Sequence, residues 1–380
     1  MATGSSRRRV TVRGTAMRST ADSVVSGSLW RLAFTRPGAE SGRSAGRRYG
    51  EPADPDGDGV AVPEGFTVRV VARSGERIGG VAWHAAPDEA GCLACDDGWI
   101  YVSNSARPLL GGVTAVRFTA GGEVVSAYRL LSGTDRNHAG AVTPWRTWLS
   151  GEETPYGRIF ECDPYGMRAA MPRLAMGRFR HGGLAVDPDR GIVYLTELEP
   201  DGCFYRFRPE DWGDLTTGVL EVMVTDGESV SWRRVHTPAA IDEPLREQVP
   251  GARRFAVGSA VHCHGGICYF ATVGDGRIWA YDPERERLTV VYGDGAAHPG
   301  TLHENLFVAE DDGARISVVS EEGTAAPFLR LEGAVDRRIT GLAFAPDHSR
   351  LYFSVLPARP GAAGSAEAGV TYEVRGPFLG

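Results

Sequence analysis

Six times between residues 81 and 374 the chain repeats one pattern. A short apolar alternation is followed by a turn of Asp, Gly or Pro, an aromatic-rich run, a polar loop and a further alternation. The copies are "VAWHAAP…WIYVSNS…VTAVRF" (81–118), "TPWRTWLSGEE…GRIFECD" (143–163) and "LAVDPDRGIVYLTELEPDGCFYRF" (184–207). They continue with "AVHCHGGICYFATVGDGRIWAYD" (260–282), "TLHENLFVAEDDGARISVV" (301–319) and "LAFAPDHSRLYFSVLPARP…VTYEV" (342–374). β-branched and aromatic residues at period two mark half-buried strands. A three-strand unit returning at a spacing of about 40–60 residues is the signature of propeller blades. No segment of helical period competes. The expected fold is therefore all-β, a six-bladed β-propeller.

A chain of 380 residues fits such a fold as one unit, and its 50 Gly and 23 Pro supply the turns. The domain plan is a basic, unstructured arm over 1–60 and one propeller over 61–380. Residues 1–50 hold ten Arg against Asp22 and Glu40, a surplus of eight positive charges. With a net charge of −7, the rest of the chain carries −15. An acidic body with a basic tail lacks the basic stripe of a nucleic-acid binder, so no nucleic-acid partner is expected. No apolar run is long enough for a spanning helix, so no membrane partner is expected either. The opening "SSRRRVTVRG" has the paired Arg of a twin-arginine leader, but Arg13, Arg18 and Asp22 interrupt the apolar stretch that should follow. The expected location is cytoplasmic. Lysine is absent, which rules out a lysine Schiff base. The six cysteines, including "CLAC" (92–95) and the pair in "CHGGIC" (263–268), are read as reduced residues in or beside strands rather than as a metal site or disulfide.

In a propeller the innermost strands line a channel, and loops at one mouth carry polar groups. Polar clusters fall just after the second strand of several repeats: Asn104, the pair Glu152 and Glu153, Glu197, and the pair Glu310 and Asp311. Carboxylates converging on one axis would suit a hard cation. Taken singly, each reads as a solvated loop residue. In "NHAGAVTPWRTWLSGEE", His138 precedes a wall built by Trp145 and Trp148. "VHCHGG" places His262 and His264 on one face of a strand, since residues i and i+2 point the same way. His298 and His303 flank the fifth repeat without an assigned role.

These motifs, with "YVSNS", "GRFRHGGLAVDP", "LFVAED", "ITGLAFAPD" and "TYEVRGPF", resemble those of the PhoX-type alkaline phosphatases from about residue 65 to the C-terminus. The resemblance implies a six-bladed propeller with an iron–calcium cluster in its channel, hydrolysing phosphate monoesters and exported by the twin-arginine route. The same resemblance exposes what has changed. The family's iron thiolate falls on His138, and its acidic ligand next to the retained His181 falls on Gly182. Its further acidic positions fall on Ala106, Leu198, Ser259 and Arg338, while Glu152, Glu153 and Glu197 are kept. Six such changes in one cavity strip away most of the negative charge that holds multivalent cations.

The expectation is a scaffold that has kept its shape and lost its original metallocentre, with no cofactor. If a single divalent metal or calcium is bound, His138, Glu152 and Glu197 would be its ligands. The favoured function is a cytosolic tailoring enzyme of secondary metabolism, carrying out a cyclisation, isomerisation or elimination on a small organic substrate. Its catalytic acids and bases would be His138, Glu152, Glu153, His181 and Glu197. Asn104, Trp145, Trp148, His262 and His264 would bind the substrate. The alternatives are a phosphomonoesterase with a reduced metal set and a non-catalytic binding propeller. No oligomeric state follows from the sequence.

Overall fold

The computed structural model describes residues 31–34, 49–293, 306–310, 314–319, 325–333, 337–357 and 368–378. Asp311, His298, His303 and the first 30 residues of the arm lie outside them. Strands dominate, all paired antiparallel, and among the described residues the only helices are two single turns at Leu174–Met176 and Leu245–Glu247. Among the described residues no helix is long and apolar enough to cross a membrane.

The strands form six blades. From the channel outward, the first is Pro87–Cys95, Gly98–Ser105, Gly111–Thr119 and Val124–Thr134. The second is Asn137–Val142, Trp148–Glu152, Ile159–Cys162 and Met171–Pro172. The third runs His181–Asp187, Ile192–Glu197, Phe204–Asp211 and Asp214–Asp226, with Ser229–Arg234 as a fifth strand. The fourth runs Gly258–His264, Ile267–Thr272, Arg277–Asp282 and Arg287–Tyr292. The fifth has Leu306–Glu310, Arg315–Val319 and Ala325–Leu331 between Arg31–Phe34 inside and Val60–Ala61 outside. The sixth has Arg337–Phe344, Arg350–Pro357 and Val370–Arg375, closed by Thr67–Arg73 from the N-terminal side.

Period-two alternation explains how the blades pack. Trp99 and Tyr101 face back into a cluster shared with Ala343 and Tyr352 of the sixth blade, while Ile100 and Val102 face forward against Trp148 and Phe160 of the second. The same two-sided pattern yields six apolar clusters, one at each junction between neighbouring blades. An open row of six blades would have five junctions. A sixth, between the last blade and the first, means a closed ring.

Two expectations change. Arg31–Phe34, inside the arm read as unstructured, pairs with Leu306–Glu310 as the fifth blade's inner strand, and Tyr49 packs on Phe66 and Phe328. Cys263 and Cys268 are not reduced: they form a disulfide across the hairpin between the fourth blade's first two strands. Gly265 and Gly266, both at positive φ, make the two-residue turn that sets this register. Cys92, Cys95, Cys162 and Cys203 are free thiols.

Trp148 shows how tightly the first junction is built. Its ring lies over Gly91 and Gly140, and a Cβ on Gly140 would sit inside it. Gly140→Ala is expected to destabilise the protein by about 1–3 kcal/mol, as other overpacked cores are. Urea unfolding followed by tryptophan fluorescence measures this, and an unchanged midpoint would mean that the ring moves aside freely.

Candidate functional site

Antiparallel register fixes what lies at each end of the channel. Each inner strand begins opposite the end of its neighbour: Pro87 opposite Ser105, Asn137 opposite Glu152, His181 opposite Glu197, Gly258 opposite Thr272 and Arg337 opposite Pro357. This strand-start mouth therefore gathers Asn104, His138, Glu152, Glu153, His181 and Glu197. The hairpin turns, such as Cys95–Gly98 and His264–Ile267, lie at the opposite end.

The inner strands share an irregularity here. Their pairing slips at Asp88–Glu89, at His138, at Gly182 and at Ser259–Ala260. Bulges re-aim side chains that a regular ladder would alternate away. At this level His138, almost fully buried, sets Nδ1 3.0 Å from an Asp88 carboxylate oxygen, with a Glu153 oxygen 3.9 Å away. An ionised carboxylate only accepts hydrogen bonds, so Nδ1 carries the proton and Nε2 is the basic nitrogen. Glu153 continues outward to the Arg180 guanidinium at 3.6 Å, and Arg180 to Glu199 at 3.1 Å. Asp88 and Arg180 were not singled out in the sequence. Asp88 lies in "PDEAGCLAC", a run whose polar and small residues mask a channel strand.

The other candidates are held by the scaffold. Glu152 accepts the backbone N–H groups of Asp135 and Arg158 and pairs with the Arg158 guanidinium at 3.1 Å. Glu197 accepts from the Tyr205 hydroxyl at 2.8 Å, the Cys203 N–H at 3.1 Å and Arg246 at 2.9 Å, and burial still raises its pKa. Asn104 donates to the carbonyls of His138 and Ala139 and accepts from Trp148 Nε1 and Ser150 Oγ, both at 2.9 Å. His181 is wholly buried with its ring 4.0 Å from that of Phe179, and burial drives its pKa down to about 3. Trp145 turns away, donating to Glu161 at 2.6 Å and packing edge-on against Trp212.

The opposite half of the channel is a cavity of ≈ 420 Å³. Small residues such as Gly91, Gly140, Ala185 and Ala260 leave the space, and Glu89, His262, His264 and His348 supply polar groups to its wall, which Trp148 also lines. The His262 and His264 rings are 6.4 Å apart. Burial, then the neighbouring His264, lowers the His262 pKa to about 4. The structure thus divides the expected site, with His138 and Glu153 at one end and Trp148, His262 and His264 at the other.

An iron–calcium cluster does not fit this donor set. Glu152 and Glu197 are committed to arginines, N–H groups and the Tyr205 hydroxyl, and the positions that the sequence resemblance would give to further acids hold Gly182, Ser259 and Arg338. Among the described residues no three His, Cys, Asp or Glu side chains are grouped to hold a metal ion. A single ion on His138, Glu152 and Glu197 would have to displace Arg158 and Arg246.

A family model for the alkaline phosphatase PhoX matches residues 154–266. The fold is similar to that of Pseudomonas fluorescens PhoX solved with vanadate, a transition state analogue: 14% identity, TM-score 0.66, covering 87% of this chain and 98% of that one. It is also similar to a Bacteroides thetaiotaomicron protein of unknown function, at 11% identity and TM-score 0.51, covering 82% of this chain and 76% of that one. At these identities the likeness establishes the fold. No curated protein matches the chain.

Three histidines, two fully buried and one half-buried, make stability depend on pH. His84 and His181 have pKa values lowered to about 3 and His262 to about 4, from an ordinary 6.5. As pH falls below 6.5 the unfolded chain takes up protons that the folded one refuses, so stability drops. The loss is up to about 1.4 kcal/mol per pH unit for each histidine. Urea unfolding at pH 7, 6 and 5 should show this slope. His181→Leu should flatten it by about one histidine's share, and an unchanged slope would mean that His181 titrates alike in the folded and unfolded chain.

Proposed function

The chain is a divergent PhoX-like propeller, and from that premise we propose that it is a metal-independent acid–base enzyme acting on a small organic molecule at the strand-start mouth. The observation that carries this reading is the His138–Asp88 pair, 3.0 Å apart and buried at a bulge of the channel wall. His138 Nε2 takes a proton from the substrate. Asp88 holds the ring in one tautomer and stabilises the imidazolium that forms. The His138 imidazolium then returns its proton to another atom of the substrate, with the Glu153 carboxylate and Arg180 beside it on the mouth side. Proton removal followed by proton return is the chemistry of an isomerisation, an elimination or a cyclisation, a tailoring step that needs no cofactor. Glu152, Glu197, His181 and Asn104 position the wall under this reading.

A phosphomonoesterase with a reduced metal set is disfavoured by the saturation of Glu152 and Glu197. A non-catalytic binding propeller is favoured by one observation, that most of the acid–base candidates are held by the scaffold. The cytoplasmic location expected from the interrupted leader also belongs to the proposal. The Cys263–Cys268 bridge weighs against it, because disulfides persist mainly in oxidising compartments.

The test is incubation of a metabolite extract from the producing cell with wild-type protein and with His138→Ala, read by mass spectrometry. A species converted by wild type, at a rate about 10²–10⁴-fold lower in the variant, supports the assignment. Asp88→Asn should lower kcat with KM little changed. Conversion unaffected by His138→Ala, or hydrolysis of p-nitrophenyl phosphate that a chelator abolishes, would overturn it. Tight uptake of a species without conversion would favour the binding propeller.

A further inference from the structure

Arg338 falls where the resemblance would have an acid, and among the described residues it forms no ion pair. It lies second in the inner strand Arg337–Phe344, with regular pairing from Arg337 through Thr340. Ile339 enters the cluster between blades five and six, so Arg338 and Thr340 share the other face, towards blade one. Thr340 confirms the direction: its hydroxyl donates to the Pro87 carbonyl at 2.8 Å. A Cβ on Gly341 would run into the Asp88 carbonyl, so the two strands touch at the level of Asp88. Arg338 is therefore about two strand residues, roughly 7 Å, outward of the Thr340–Pro87 contact, on the mouth side of the His138–Asp88 pair.

Among the described residues no carboxylate forms an ion pair with Arg338, and its Nε is buried without a hydrogen-bond partner. Three acids at the mouth have other partners, Glu153 and Glu199 in Arg180 and Asp88 in His138. A buried donor left unsatisfied is costly, and a ligand bearing oxygen acceptors would relieve that cost. The guanidinium presents parallel N–H groups at the spacing of a carboxylate's two oxygens.

We propose that Arg338 is the anchor for a carboxylate of the ligand, making the mouth a receptor for small organic monocarboxylates. One guanidinium takes one carboxylate, and the acids already at the rim oppose a second negative charge, which favours a monoanion over a phosphate dianion. The proposal takes its setting from the reading of His138 as the base, with the anchored carboxylate orienting the rest of the ligand inward. The binding itself does not require that reaction to occur.

Isothermal titration calorimetry with benzoate at neutral pH in low chloride tests it, with inorganic phosphate as the competing probe. Wild-type protein is expected to bind benzoate saturably and more tightly than phosphate. Arg338→Gln should weaken benzoate at least roughly tenfold and Arg338→Lys by less, because a lysine keeps the charge and loses the fork. Arg285→Gln, on an exposed turn of the fourth blade, should leave benzoate affinity unchanged. Calorimetry reads binding without turnover, which separates failure of the acid–base reading from failure of this one. Circular dichroism of each variant checks that it is folded. Benzoate affinity unchanged in Arg338→Gln, no benzoate binding by folded wild type, or tighter binding of phosphate would each overturn the proposal.

Discussion

Each blade buries its faces only against its neighbours, so everything in this molecule depends on closing the ring. The closing contact joins distant parts of the chain. Val370–Arg375 pairs along its length with Thr67–Arg73, and the sixth blade then packs on the first. Trp83 and Trp99 carry that junction. Trp83 donates to the Thr371 hydroxyl at 3.1 Å, and Trp99 donates to Tyr352, whose own hydroxyl donates to Glu373 at 2.7 Å. Arg69 pairs with the same Glu373 at 2.8 Å. A mostly buried carboxylate is costly unless its lone pairs are filled, and here they are filled from both sides of the seam. The polar network thus sets the register of closure, while the aromatic rings supply the buried area. Arg31–Phe34 closes the fifth blade in a similar way, from the far end of the sequence.

The fold was readable because outer and middle strands obey period two with large residues. "WIYVSNS" and "GRIWAYD" divide their side chains between two junctions, and that division is the alternation itself. The inner strands were harder to read. "PDEAGCLAC" is small, acidic and glycine-containing because it lines a channel already filled by Trp148, and such residues have weak strand preference. Outermost strands such as Met171–Pro172 are too short to show a pattern. The strand at Arg31–Phe34 lies in a segment whose arginine content reads as tail. The disulfide was more legible than the reading allowed, because a two-glycine hairpin turn puts Cys263 directly opposite Cys268.

At the mouth, the sequence identified His138 and Glu153 but could not separate groups facing the channel from groups tying loops together. Glu152 and Glu153 are adjacent and chemically identical. One accepts two N–H groups and an arginine, while the other spans His138 and Arg180. Only three-dimensional partners make that distinction. Asp88 escaped notice because its significance depends on an imidazole 50 residues away.

Proton chemistry then narrows the site further. A general base works best when its pKa lies near the ambient pH. Burial has pushed His84 and His181 to about 3 and His262 to about 4, so at neutral pH all three are weak bases. His84 is also enclosed by the Thr114 and Ser103 hydroxyls. His138 is as buried as His84 and His181, but an Asp88 carboxylate stands against its Nδ1 and would stabilise an imidazolium formed there. The cavity at the hairpin end therefore offers shape and neutral polar groups, while the mouth offers a base with its counterion. A ligand whose carboxylate is held by Arg338 would present its adjoining atoms to that base, because Arg338 lies outward of it on the neighbouring inner strand.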